Sequence, residues 1–201
     1  MTHPFRSLAL APDTLHNLDR LGYTEMTPIQ AASLPLALAG QDVIAQASTG
    51  SGKTAAFGLP LVEKLTANFH AVQALVMCPT RELADQVTTE IRRLARATAN
   101  IKVVTLCGGV ALRGQVQSLE HGAHVVVGTP GRIMDHLDRG SLSLQGLKTL
   151  VLDEADRMLD MGFIHDVKKV LALVPQDKQS LLFSATFSDE IRELANGLLR
   201  N

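Results

Sequence analysis

Short, unbroken apolar runs alternate along the chain with longer stretches in which apolar residues recur every three or four positions. The short runs cover 42–46, 74–78, 102–107, 124–128, 149–152 and 180–184. Val125-Val126-Val127 and Leu150-Val151-Leu152 are apolar at every position, where a strand with one wet face would alternate. Continuous apolarity predicts strands buried on both faces, as in a parallel sheet covered by helices. The longer stretches, 12–21, 28–38, 52–65, 81–97, 112–121, 131–137, 164–174 and 189–199, read as helices. Strand–helix alternation of this kind predicts an α/β fold, a doubly wound parallel sheet with helices on both faces and right-handed crossovers.

In such a sheet, ligands bind beyond the C-terminal strand ends. Segments 49–54, 79–81, 129–132, 153–154 and 184–186 all follow predicted strands, so loops scattered through the sequence are expected on one rim. The 201 residues, 46% hydrophobic and 19% charged, suit one domain with a substantial core, built from aliphatic side chains because aromatics are only 3%. A formal net charge of −1 argues against coating nucleic acid by charge alone, while leaving room for a local phosphate-contacting groove. Cys78 and Cys107 lie in apolar runs and read as buried thiols. His121, His124, His136 and His165 lack metal-like spacing, so surface or hydrogen-bonded roles are expected. Segment 7–11 is too short for a signal-peptide core, and no apolar run approaches a membrane span. A cytoplasmic location without a membrane partner is the expectation.

Ser48, Thr49, Gly50, Ser51 and Gly52 form a glycine-rich turn between a predicted strand and a predicted helix. Glycine lets backbone N–H groups approach phosphate oxygens, and the following helix offers its positive N-terminus. Lys53 would reach the β- and γ-phosphates, and the Thr54 hydroxyl would ligate Mg²⁺. The strict pattern asks for glycine at position 47, where this chain has Ala47. Farther along, an apolar strand runs into Asp153-Glu154-Ala155-Asp156. Asp153 is placed to hold Mg²⁺ directly or through water, and Glu154 to orient and deprotonate an attacking water. Asp156 reads as a tie to neighbouring loops. Upstream, the Gln30 carboxamide matches adenine's N6 donor and N7 acceptor, and Tyr23 could stack on the ring. An exposed helical Gln and a core Tyr are the plainer alternatives. Arg81 and Arg132 follow prolines at strand–loop junctions, where they could fork onto phosphates or pair with Glu82 and Asp135.

As a set, these segments resemble the DEAD-box RNA helicase family over nearly the full chain. Phe5 and 22–30, with Tyr23, Thr27 and Gln30, are similar to its adenine-reading Q motif and the isolated aromatic upstream of it. Segment 47–54 is similar to its variant phosphate loop, which begins with alanine. Pro79-Thr80-Arg81, Gly108-Gly109 and Thr129-Pro130-Gly131-Arg132 resemble its RNA-contacting motifs. Segment 153–156 is the tetrad that names the family, and Ser184-Ala185-Thr186 resembles its coupling motif, in concert with Asp156. Segments 78–87 and 106–109 look closest to the bacterial DbpA subfamily.

The resemblance implies a RecA-like P-loop NTPase fold. It implies an ATP- and Mg²⁺-dependent enzyme that locally unwinds RNA duplexes through contacts to the RNA backbone. Residues 1–201 would be the first of two RecA-like lobes, with a Q-motif region at 1–38 and a core at 39–201. The second lobe, its arginine finger and any C-terminal RNA-binding module would lie outside it. The subfamily implies ribosomal RNA as target and a pre-ribosomal particle as partner. Since an arginine finger is worth about 10³–10⁵ in rate, the chain by itself is expected to bind nucleotide and hydrolyse it poorly. A non-catalytic nucleotide-binding module, and an ATPase acting on DNA or protein, stand as alternatives.

Overall fold

The computed structural model describes residues 1–199; residues 200 and 201, the end of the expected domain span, lie outside the described residues. Its centre is a six-stranded sheet of β1 (Val43–Gln46), β2 (Ala74–Met77), β3 (Val103–Leu106), β4 (Val125–Gly128), β5 (Thr149–Asp153) and β6 (Gln179–Ser184). The strands are ordered β1-β6-β5-β2-β4-β3, and every pairing is parallel. β2, β4, β5 and β6 are buried at every position, which accounts for the unbroken apolar runs of β2 and β4 and the apolar centres of β5 and β6. β1, at one edge, buries Val43 and Ala45 and leaves Ile44 and Gln46 exposed.

The helices are α1 (Pro12–Leu21), α2 (Pro28–Leu38), α3 (Lys53–Glu63), α4 (Arg81–Leu94), α5 (Leu112–Glu120), α6 (Pro130–Arg139), α7 (Ala155–Asp160), α8 (Ile164–Leu173) and α9 (Asp189–Leu198). They cover both faces. On one face Leu34, Phe57, Leu59 and Ile91 pack against Val76, Val127, Val151 and Phe183. On the other, Ile133, Met158, Val170 and Ile191 pack against Leu75, Val126, Leu152 and Leu182. Neighbouring strand residues such as Leu75 and Val76 thus serve opposite cores, as the pleat requires. The expected doubly wound α/β architecture is what the chain adopts. Both cysteines are buried free thiols whose ionisation burial pushes upward.

The expected elements shift only at their ends. The helix read over 81–97 is α4 followed by a 3-10 turn, Ala95–Ala97. α6 starts one residue earlier than expected because Pro130, lacking an N–H, suits a first helical turn. α7 is not among the expected helices.

Gly128 ends β4 where the sheet leaves no space for a side chain. A Cβ there would stand 2.3 Å from the Leu106 carbonyl oxygen of β3 and 3.2 Å from Ile133. The obstacle is backbone, so the β3–β4 pairing itself would have to open. Gly128→Ala is expected to cost about 3 kcal/mol, read as a melting-temperature drop of roughly 6–12 °C. A wild-type melting temperature would show that β3 yields without penalty.

Candidate functional site

Parallel strands place all their C-terminal ends on one rim, and the strand order divides that rim in two. β1, β6 and β5 deliver 47–54, 184–186 and 153–156; β2, β4 and β3 deliver 79–81, 129–132 and 107–109. The first half gathers hydroxyls, one lysine and carboxylates, and the second gathers two arginines and a glycine pair.

Ala47 continues β1 by donating its N–H to the Ser184 carbonyl at 3.0 Å. Its φ is not positive, so this position needs none of glycine's freedom, and alanine serves where the strict pattern has glycine. The turn then closes as the Ser51 hydroxyl donates to the Ser48 carbonyl at 2.6 Å. Gly52 is the position only glycine fits. Its φ is +84°, and a Cβ would fall 2.6 Å from Gln30 Nε2 and 2.9 Å from Thr27 Oγ1. α3 begins at Lys53, so its first amides, unpaired within the helix, sit behind the turn that Ser48, Thr49 and Gly50 expose. Thr54 is half-buried on the first turn of α3.

Gln30 is only 3% exposed. Its side-chain oxygen accepts from the Thr27 N–H at 2.9 Å, and its Nε2 donates to the Gly52 carbonyl at 3.0 Å. The carboxamide therefore braces the phosphate loop, and a base would be read only through its remaining N–H and lone pair. Phe5 is 2% exposed and stands edge-on to half-buried Tyr23, with ring centroids 5.4 Å apart. Here Phe5 packs the 22–30 segment in place and offers no free face to a base.

Across the rim, the Lys53 ammonium lies 2.9 Å from Asp153 Oδ1 and 3.4 Å from Glu154 Oε2. The lysine that would bind triphosphate thus sits directly on the two carboxylates expected to serve metal and water. Asp153 is fully buried; burial pushes its pKa up, opposed by the adjacent Lys53 charge. Its Oδ2 is buried without a hydrogen-bond partner. A buried carboxylate oxygen in that state suits a cation, and a hard, water-retaining ion such as Mg²⁺ needs few protein ligands. Asp153 therefore fits the metal-holding role expected of it. Glu154 occupies left-handed backbone space, φ 53° and ψ 54°, which is uncommon for a residue with a side chain. That turn aims its carboxylate at Lys53, while its other oxygen lies 3.6 Å from Arg157.

Within this half of the rim, Asp156 joins the turn after β5 to the end of β6. Its Oδ2 accepts from the Thr186 N–H at 3.1 Å and the Thr186 hydroxyl at 2.9 Å. Ser184 Oγ accepts from the Asp156 N–H at 3.1 Å and donates to the Thr186 carbonyl at 2.7 Å. Burial pushes the Asp156 carboxyl up, but the hydrogen bonds, that of the Thr186 hydroxyl foremost, outweigh it and hold the pKa below its ordinary value.

On the other half, Arg81 is exposed and its guanidinium lies against Gly109, where a Cβ would meet it at 3.6 Å. The Thr80 hydroxyl caps α4 by accepting from the Leu83 N–H at 3.2 Å. Thr129 caps α6 through its backbone geometry alone. Pro79 and Pro130 are buried and shape their turns. Gly108 and Gly109 are exposed, and Gly131 is half-buried beside Asp166. Arg132 is more constrained than a free fork. Its Nη1 donates to the Val110 carbonyl at 2.9 Å and to Gln115 Oε1 at 3.1 Å, and its Nε lies 3.6 Å from Asp135. Gln115 went unnoticed in the sequence, although a polar residue between Leu112 and Leu119 on the inward stripe of α5 was the available signal.

The model of the DEAD/DEAH box helicase family matches residues 27–194. The chain belongs to that family. The ATP-dependent RNA helicase DbpA of Escherichia coli strain K12 is 55% identical over 192 residues, 96% of this chain and 42% of DbpA. The DEAD-box ATP-dependent RNA helicase CshA of Geobacillus kaustophilus is 50% identical over 191 residues, 95% of this chain and 41% of CshA. The crystal structure of a DEAD box protein from Methanococcus jannaschii superposes with a TM-score of 0.94 at 43% identity, over all of this chain and 55% of that one. The chain therefore has the RecA-like fold of a DEAD-box domain and spans about two fifths of the curated relatives it matches. Among the described residues, no helix is long and apolar enough to cross a membrane.

Proposed function

We propose that this chain is the ATP-binding lobe of an ATP-dependent RNA helicase, residues 1–38 forming its Q-motif region and 39–201 its core. The contact of Lys53 with both Asp153 and Glu154 carries the reading. That contact would bring together a phosphate-binding cation, a metal-type carboxylate and a base from the ends of β1 and β5, with β6 between them. Ser48 to Thr54 would cradle the triphosphate, with Tyr23, Thr27 and Gln30 bordering the base. Asp153 and Thr54 would hold Mg²⁺, which when bound neutralises charge on the phosphate oxygens. Glu154 would orient the attacking water and take its proton.

Arg81, Arg132 and the Gly108–Gly109 loop would meet phosphate and sugar of an RNA strand, giving little sequence preference. Asp156, Ser184 and Thr186 would be the coupling element, tying the acidic turn after β5 to the end of β6. A second RecA-like lobe would complete the site. On the DbpA resemblance of 78–87 and 106–109, the complete protein would act in the cytoplasm on ribosomal RNA in a pre-ribosomal particle. Titration of the chain with a fluorescent ATP analogue should show Mg²⁺-dependent binding, and phosphate release should stay slow with or without RNA. Absence of nucleotide binding would overturn the assignment. Fast RNA-stimulated turnover by these residues alone would overturn the need for a second lobe.

A further inference from the structure

We propose that Gln115 is a positioning residue for the RNA-contacting half of the rim, holding Arg132 and the Gly108–Gly109 loop in one register. The proposal rests on reading that half as an RNA site. Gln115 lies on α5 and is 6% exposed. A buried carboxamide is costly unless its donors and acceptors are satisfied, and here each end has a partner. Its Nε2 donates to the Cys107 carbonyl at 2.9 Å. Its Oε1 accepts from Arg132 Nη1 at 3.1 Å and faces His136 Nε2 at 2.8 Å.

These bonds fix the protons. With its NH₂ on a carbonyl and its oxygen toward Arg132, Gln115 can only accept from His136, so His136 carries its proton on Nε2. Burial, seconded by the Arg132 charge, lowers the His136 pKa and favours the neutral ring. Nδ1 then accepts from the Ser141 hydroxyl, 2.7 Å away, whose single proton is shared with the His136 carbonyl at 3.2 Å. Rotating the carboxamide by half a turn would set NH₂ against the Arg132 donor and strand the Cys107 carbonyl. One orientation alone satisfies the cluster.

The loop is anchored on both sides of its glycines. Cys107, just before Gly108, is held by Gln115, and Val110, just after Gly109, is held by Arg132. Arg132 is in turn held by Gln115. Only the two residues with the greatest backbone freedom lie between the anchors, Gly109 in left-handed space at φ +81°. The anchors therefore set where the loop's N–H groups point. The same bonds leave the Nη2 edge of Arg132 as the one to meet a phosphate. Sequence distance conceals the arrangement, because α5 and α6 come together only through β3 and β4.

Single-stranded oligouridylate binding, followed by fluorescence anisotropy, tests this in Gln115→Met, Gln115→Glu and Arg132→Ala, with ATP-analogue affinity and thermal melting measured alongside. Gln115→Met keeps volume and removes every bond, so RNA affinity should fall about tenfold, with nucleotide affinity within about twofold of wild type. Gln115→Glu keeps the acceptor for Arg132 and His136 but cannot donate to Cys107. It should keep a sharp Arg132 Nε–H resonance and still lose roughly threefold in RNA affinity, a split that a general folding defect would not produce. Wild-type RNA affinity in Gln115→Met, with Arg132→Ala impaired, would overturn the positioning role and leave the RNA site standing. An unimpaired Arg132→Ala would instead remove Arg132 from the RNA site itself. Should Gln115→Met fail to fold, wild-type RNA affinity in Gln115→Glu would overturn the proposal.

Discussion

Glu154→Gln should leave ATP binding nearly intact and slow hydrolysis by about 10²–10⁴ in the complete, RNA-stimulated protein. The substitution preserves shape at a position where shape is demanding, because the residue sits in left-handed backbone space that aims its side chain at Lys53. Glutamine can adopt that conformation as glutamate does, and its amide can still meet Arg157. What it cannot do is accept a proton from water. Binding should survive because Lys53 keeps Asp153 as its main counter-charge, at 2.9 Å against 3.4 Å for Glu154. The discriminating measurement is single-turnover phosphate release beside equilibrium nucleotide affinity. Normal turnover would reassign the base, and affinity lost in step with rate would mean that the carboxylate shapes the ground state.

The division between what the sequence disclosed and what it concealed follows from how local each feature is. β2, β4, β5 and β6 were legible because burial on both faces leaves consecutive apolar residues at their centres, and the helices because their inward stripes recur at helical spacing. α7 was not, since six residues after a left-handed turn are too few to show a period. That several loops share a rim could be inferred from strand direction alone. Which loops neighbour one another depends on the order β1-β6-β5-β2-β4-β3, set by pairings between strands far apart in sequence. The contact between Asp156 and Thr186 depends on it as well, because β5 and β6 must pair to bring the two loops together. Arg132 shows both sides. Its ion pair with Asp135, one helical turn away, could be foreseen, whereas its bonds to Val110 and Gln115 could not, because they reach across strands β3 and β4.

Lys53→Ala should abolish tight ATP binding, a loss of about 10²-fold or more, since the triphosphate forfeits a charge-assisted contact in a partly dry site. A second effect follows from the burial of the lysine itself. Its ammonium is almost wholly enclosed and neutralises a fully buried Asp153 and a largely buried Glu154. Removing one partner of such a group leaves carboxylate charge in low dielectric, a loss of about 3–5 kcal/mol in comparable buried pairs. Asp153, already pushed toward its protonated form by burial, loses the charge that opposes the push. The variant should therefore melt earlier than wild type even without nucleotide, while Lys53→Met, which fills the same space, should melt no later than Lys53→Arg. Denaturant titration and ATP-analogue binding on the same samples separate the two roles. Undiminished affinity with reduced stability would make Lys53 a structural counter-ion for Asp153 and remove it from the triphosphate. Reduced affinity with unchanged stability would mean that the carboxylates find another partner once the lysine is gone.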